Sequence, residues 1–266
     1  KHGTGTFLFP NGDKFSGEWG NDTWQGQGNI YYKNGDLYKG FIEDKKKNGE
    51  GVFNYLNGDV YKGNFKNDKR DGLGTMKYNN DDTYVGHWED GLQSGIGKLT
   101  YKNGARYDGE FLNNKQNGTG TYIYGDNEKY EGTWKDGYFE GLGTYYYING
   151  SRYFGNWLGG LRHGHGSITY YSNGTKYDGE WKNDFKNGKG IIIYVNGDIY
   201  EGGWENDKMN GEGIFTYKNG NKYVGNYKDS KRSGKGNFNY SNGDKYTGEW
   251  AEGKRSGSGT FLYANG

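Results

Sequence analysis

A short pattern, aromatic-x-Gly-x-large apolar, recurs along this chain at a fixed interval, and that interval constrains the fold more than any other feature. It starts at Phe15, Tyr38, Tyr61, Tyr84, Tyr107, Tyr130, Tyr153, Tyr177, Tyr200, Tyr223 and Tyr246. Successive starts lie 23 residues apart, with one step of 24 between Tyr153 and Tyr177. A period of this size marks a repeat array, in which each unit is one supersecondary element that buries its apolar side against its neighbours. Residues 1–14 match the second half of a unit, so the array reads as a half repeat followed by eleven repeats over 1–266, with no separate domain. A start in mid-unit suggests a piece of a longer protein.

Counting from the first aromatic as position 0, positions 0, 2 and 4 face one side of an extended strand and positions 1 and 3 the other. Position 4 carries large side chains such as Trp88, Trp134 and Trp181, whereas 1 and 3 are mostly polar, as in Asp178 and Glu180. Further on, position 13 is Gly, position 15 apolar or aromatic, and position 17 Tyr in every unit from Tyr32 to Tyr263. Period two holds again, which predicts a second strand. Position 17 is followed by a turn signal, usually x-Asn-Gly, because Asn and Gly accept positive φ. Each unit therefore reads as one β-hairpin.

The six polar residues between the strands, for example Lys66 to Asp71, read as a loop. That loop sets position 4 opposite 11, position 2 opposite 13 and position 0 opposite 15. Across the next turn, 17 is expected to oppose the following 0, and 13 the following 4. Each Trp then sits between glycines whose missing Cβ atoms make room for it, which explains glycines in strands that ordinarily disfavour them. Freely flexible loop glycines would not keep to one parity. About 23 strands at about 4.8 Å spacing make a single-layer, twisted antiparallel sheet on the order of 110 Å long, an all-β, solenoid-like rod held by nearest-neighbour contacts.

Composition agrees with this reading only when position is considered. Hydrophobic residues are 30%, a value that leans towards disorder. Aromatics, however, reach 18% and fall at fixed positions. Lys and Arg number 34 against 33 Asp and Glu, so no single-sign field directs the chain to nucleic acid. With no cysteine, disulfides and thiolate metal sites are excluded and a reducing compartment fits. No apolar run approaches the length of a membrane span.

The pattern Y-x-G-x-W, a polar loop, G-x-G, an aromatic and N/D-G resembles the MORN (membrane occupation and recognition nexus) repeat over essentially the entire chain. Basic residues before the Gly at position 11, as in Arg162-His163-Gly164, are similar to that family's loop. The resemblance implies tandem antiparallel hairpins and a scaffold that binds proteins in cytoskeletal or membrane-peripheral assemblies of the cytoplasm. It also implies self-association in some members, as a homodimer or end to end, and an affinity for anionic phospholipid. Departures from the pattern are Ile42 in place of a ring, Asn80-Asp81 and Asp126-Asn127 in place of Asn-Gly, and one extra residue near Tyr170-Tyr171, expected to make a bulge or longer turn.

Catalytic chemistry finds no foothold. The G-x-G triplets precede strands, whereas a phosphate loop needs a helix N-terminus behind it. His163 and His165 share a strand parity, but no Cys or clustered acid completes a metal set. A non-enzyme without cofactor or metal is expected. The aromatic face is the candidate protein-binding groove, for a peptide or amphipathic helix, with Trp88, Tyr101, Trp134, Tyr147, Trp157, Tyr170, Trp181, Tyr194, Trp204 and Tyr217 as its residues. The alternative is lipid binding by basic hairpin loops along one edge, through Lys45, Lys46, Lys47, Lys69, Arg70, Lys231, Arg232, Lys254 and Arg255. Interleaved acids such as Asp44, Asp68 and Asp71 favour a solvated edge instead.

Overall fold

The computed structural model describes residues 2–125 and 128–265, among which lie 23 β-strands and no helix. The chain divides into two compact units, Lys1–Gly125 with Trp134–Gly137, and Asp126–Thr133 with Tyr138–Gly266. In the first unit, each strand from Gly3–Leu8 to Lys115–Gly125 pairs antiparallel with its sequence neighbours. The second repeats this rule from Tyr138–Tyr146 to Lys254–Leu262. All pairing is local, as tandem hairpins require.

Strands Arg152–Leu158 and Leu161–Thr169 show the register of one repeat. Tyr153 pairs with Ile168 and Gly155 with Gly166, so position 0 faces 15 and position 2 faces 13, as expected. Trp157, however, faces Arg162 at position 9, not the glycine at 11. The polar stretch is no six-residue loop. Its two central residues make a tight turn with positive φ at both positions, 47° at Asn67 and 72° at Asp68, or 50° at Asn113 and 66° at Asn114. This is the primed turn whose twist suits paired strands, and the polar residues after it continue the strand.

Between the 2/13 and 4/9 pairs the register shifts, because the second strand carries extra residues there. The Gly at position 11 sits in this bulge with positive φ: 63° at Gly141, 65° at Gly164 and 70° at Gly188. The two glycines of G-x-G thus have separate reasons. The first turns the backbone, and the second leaves space for a ring.

Across repeats the expected register is corrected by two residues. Gly141 pairs with Trp157, Gly143 with Gly155 and Tyr145 with Tyr153, so 11, 13 and 15 face the next 4, 2 and 0. The cause is the connection after position 17, where the Tyr belongs to the turn and not to the strand. Tyr147 N–H donates to Ser151 C=O and Gly150 N–H to Tyr147 C=O, both at 2.9 Å. The extra residue of the seventh repeat lengthens this turn, so that Tyr170 N–H reaches Thr175 C=O at 2.9 Å. The Asp126-Asn127 departure lies outside the described residues.

Side chains tie repeats together along both edges. At one edge the turn residue at position 21 accepts the N–H of position 18 in the next repeat, as Asp36 does from Leu56 at 2.8 Å and Asp198 from Lys218 at 2.9 Å. At the other, the second residue of the tight turn accepts the N–H of position 9 in the preceding repeat, as Asp68 does from Lys47 at 2.9 Å and Asn114 from Gln93 at 2.8 Å. Each bond satisfies a backbone donor that the strand ladder leaves unpaired.

Candidate protein-binding surface

One face of the sheet is built in layers from the backbone outward. Its floor is the paired glycines at positions 2 and 13, and on that floor lies the ring at position 0. A Cβ added at Gly143 would stand 2.3 Å from the Tyr130 hydroxyl, and one at Gly166 would stand 2.2 Å from that of Tyr153. The glycine floor therefore seats the tyrosine and not, as expected from the sequence, the tryptophan. The Tyr153 hydroxyl donates to Asn156 C=O at 3.0 Å, and the other position-0 tyrosines repeat this bond to their own position 3, as Tyr61 does to Asn64.

The position-4 ring wedges between two such tyrosines. Trp157 meets Tyr153 edge-on at 5.1 Å and 86°, and Tyr130 at 5.5 Å and 89°. Edge-to-face contacts of this kind add about 0.5–1.5 kcal/mol each beyond the area they bury. The indole N–H donates back to the position-13 carbonyl of the preceding repeat, from Trp181 to Gly166 at 2.9 Å and from Trp157 to Gly143 at 3.3 Å. The tryptophan is thereby fixed by both packing and hydrogen bonding.

Position 9 closes the stack. Phe139 lies parallel to Tyr130 with centroids 3.8 Å apart, and Trp24 does the same to Phe15 at 4.7 Å. In six repeats a cation takes this place, and in three it is Gln93, Gln116 or Met209. The guanidinium carbon of Arg70 is 4.2 Å from the Trp88 ring centroid, that of Arg162 is 4.3 Å from Trp181, and that of Arg232 is 4.2 Å from Trp250. Lys186 lies 5.4 Å from the rings of Tyr177 and Trp204, and burial pushes its ammonium down against the pull of Asp207.

This layering sorts the residues named for the groove. Trp88, Trp134, Trp157, Trp181 and Trp204 are buried, none more than 6% exposed. Tyr101, Tyr147, Tyr170, Tyr194 and Tyr217 are half-buried and form an outer row on the same face. Burial raises the phenol pKa of each, with nearby charges as lesser causes. Equivalent hydroxyls in the first unit bind the next repeat's position 9, Tyr78 accepting from Gln93 at 2.9 Å and Tyr32 from Lys47 at 3.0 Å.

The residues named for lipid do not form one basic edge. Lys47, Arg70, Arg232 and Arg255 turn onto the rings, because position 9 has the parity of that face. Lys45 is a turn residue at φ 65°, and Lys46, Lys69, Lys231 and Lys254 are exposed. Lys69 pairs with Asp90 at 3.0 Å and Lys231 with Glu252. Sequence reading missed the cap at position 9, although its members, Trp24, Phe139, Arg162 and Met209 among them, are all flat or long-stemmed.

The opposite face has a furrow in each unit. Its floor is the glycine backbone, and its walls are positions 1 and 14 on one side and 3 and 12 on the other. The first unit's furrow has a volume of about 1230 Å³ and carries Lys39, Glu50 and Lys62. The second unit's, about 1420 Å³, carries Asp178, Glu180, Glu201, Glu212 and Glu249 against Lys189 and Lys235. His165 belongs to this wall, 3.1 Å from Asp178, while the buried Nδ1 of His163 has no hydrogen-bond partner among the described residues. No group of three metal-ligating side chains occurs among the described residues.

No curated protein matches the chain. Among solved structures it is similar to the wild-type TCP10 domain of Danio rerio CPAP, at 14% identity over 74% of this chain and 92% of that one, with a TM-score of 0.42. It is also similar to the SAS-4 (dCPAP) TCP domain of Drosophila melanogaster in complex with a proline-rich motif of Ana2 (dSTIL), at 14% identity over 74% and 86%, with a TM-score of 0.29. Likeness at these scores bears on neither partner nor mechanism. The MORN repeat family model matches twelve consecutive segments, 1–14, 15–37, 38–60, 61–83, 84–106, 107–129, 130–152, 153–175, 177–199, 200–222, 223–245 and 246–266, whose boundaries coincide with the period read from the sequence. The chain belongs to the MORN repeat family.

Proposed function

We propose that the array is a non-catalytic scaffold that binds an extended protein segment on its ring face. The position-17 tyrosines are the contact row, and the tryptophans behind them hold that row in place. The observation that carries this reading is a row of half-exposed rings, Tyr147, Tyr170, Tyr194 and Tyr217 in the second unit, recurring once per repeat over a closed aromatic layer. Such rings offer an apolar body with a polar tip, the combination on which protein interfaces rely. Two strand spacings set successive tyrosines about 9.6 Å apart. A polyproline II segment advances about 9.3 Å in three residues and so presents an equivalent residue to each ring. Tyr101 holds the same place in the first unit.

The lipid reading is not favoured, because its arginines are engaged with rings and several of its lysines with acids. Selection from a displayed library of random peptides tests the proposal. Peptides selected on the native protein are expected to lose binding to the double variant Tyr170→Ser, Tyr194→Ser, which leaves the buried layer intact. Selected peptides that bind this variant undiminished would overturn the ring-face assignment.

A further inference from the structure

The furrow on the opposite face of the second unit differs from its counterpart in the first. Both have a glycine-backbone floor and similar volumes, but one is nearly balanced in charge while the other sets five carboxylates against two lysines. Three of those carboxylates, Glu201, Glu212 and Glu249, have no side-chain hydrogen bond or ion pair among the described residues. Asp178 meets His165, and Glu180 accepts the backbone N–H of Lys189 at 2.8 Å. Glu201 and Glu212 are exposed.

Glu201 is placed between aliphatic neighbours. Across the strand pairs it faces Ile191 on one side and Ile214 on the other. Ile191 is 40% exposed although it stands on a sheet face, so its apolar surface is open along the furrow wall. A carboxylate flanked by exposed methyl and methylene groups is complementary to a lysine or arginine, whose stem packs on apolar surface while its head reaches the charge. It is a poor match for a small cation, which would gain nothing from the isoleucines.

We propose that this furrow is a second docking surface, distinct from the ring face, and that its occupant is an extended protein segment bearing lysine or arginine. Glu201 and Glu212 are its charge partners, and Ile191 and Ile214 support the aliphatic stems. The first unit's furrow, with Lys39 and Lys62 in its walls, does not take the same segment. The two faces of the second unit thus select different partners, aromatic contacts on one and charge on the other.

Fluorescence anisotropy with a labelled peptide carrying lysine at every third position among threonine and alanine tests this, beside the same peptide with glutamate for lysine. The lysine peptide is expected to bind the whole chain and the glutamate peptide not to. Glu201→Gln with Glu212→Gln is expected to weaken binding by about fivefold or more at low salt, the scale of two exposed ion pairs. Removing the same number of charges from the first unit, by Glu43→Gln with Glu50→Gln, is expected to leave binding unchanged. Because the chain has no cysteine, a bromoacetyl group on the peptide reports location: it should alkylate an introduced Asn237→Cys in the furrow and spare Tyr217→Cys on the ring face. Equal weakening by both charge-removal variants, or alkylation at the ring-face cysteine alone, would overturn the proposal. Loss of lysine-peptide binding in Tyr170→Ser, Tyr194→Ser would also overturn it, whereas failure of the ring-face reading leaves these outcomes untouched.

Discussion

Arg162 lies over Trp181 of the following repeat, its guanidinium carbon 4.3 Å from the ring centroid, while its Nε donates to Asp184 at 2.9 Å and its Nη2 to the Asp184 carbonyl at 2.8 Å. One side chain thereby bridges two repeats through a ring and a turn. Adjacent lysines, such as Lys208, instead extend to solvent and meet only an exposed acid, Asp229, at 2.8 Å. Where position 8 is a lysine, structure resides at position 9 and solubility at position 8.

Arg162→Ala is accordingly expected to lower stability by about 1–2 kcal/mol, from the lost stacking and the part-buried ion pair. Lys208→Ala is expected to leave the unfolding midpoint where it was. Urea titration followed by tryptophan fluorescence distinguishes them. A midpoint that moves equally for both would mean that position 9 is no more than another surface charge.

The glycine floor makes a second prediction. A Cβ at Gly143 would meet the Tyr130 ring at 2.5 Å and its hydroxyl at 2.3 Å, whereas one at Gly20 would touch only the Gln25 side chain at 3.6 Å. Gly143→Val should cost about 1–3 kcal/mol by overpacking, and Gly20→Ala should be close to neutral. An unchanged melting curve for Gly143→Val would mean that the Tyr130 ring does not rest on this floor.

The tight turns carry their own test. Asn183 and Asp184 both have positive φ, 49° and 71°. An L-residue with a branched Cβ strains there by about 1–2 kcal/mol, so Asn183→Val is expected to destabilise by that amount and Asn183→Gly to be tolerated. Thermal melting of the two variants decides it, and equal melting points would contradict the turn geometry.

Much of this architecture was legible in the sequence because it depends on parity and period. Positions 0, 2 and 15 could be placed from alternation alone, and Tyr153 does face Ile168, and Gly155 does face Gly166. What was not legible depends on turn length. Polar residues such as Lys66 to Asp71 read as a loop, since nothing in their character distinguishes a two-residue turn followed by a strand from six loop residues. That ambiguity moved the partner of Trp157 from position 11 to 9 and hid the cap made by Arg162. The rings named for the groove do share one face, yet alternation does not report depth. Trp181 and Tyr170 share that face, one buried under the Arg162 guanidinium and the other half-exposed, with the Lys186 ammonium 5.6 Å from its ring centroid.

The buried tyrosines predict how stability responds to alkali. Burial raises the phenol of Tyr223 from 10.0 to about 12, and it pushes Tyr38, Tyr61, Tyr84 and Tyr153 well above the usual tyrosine range. The neutral phenol donates to a carbonyl in each ring stack, and ionisation would abolish that donor inside an apolar layer. A folded-state pKa above the unfolded value means that the unfolded chain releases protons first as pH rises. The stabilisation is therefore complete below pH 10 and is lost progressively as pH climbs from 10 through the folded-state values. Urea midpoints are expected to be insensitive to tyrosine ionisation up to about pH 9.5 and to fall steeply beyond pH 10.5. Tyr153→Phe, which removes one buried hydroxyl and its 3.0 Å bond to the Asn156 carbonyl, should cost about 0.5–1.5 kcal/mol at neutral pH and reduce the alkaline loss by one group's share. Tyrosines that all ionise together near pH 10 with no loss of fold would contradict the sealed ring layer.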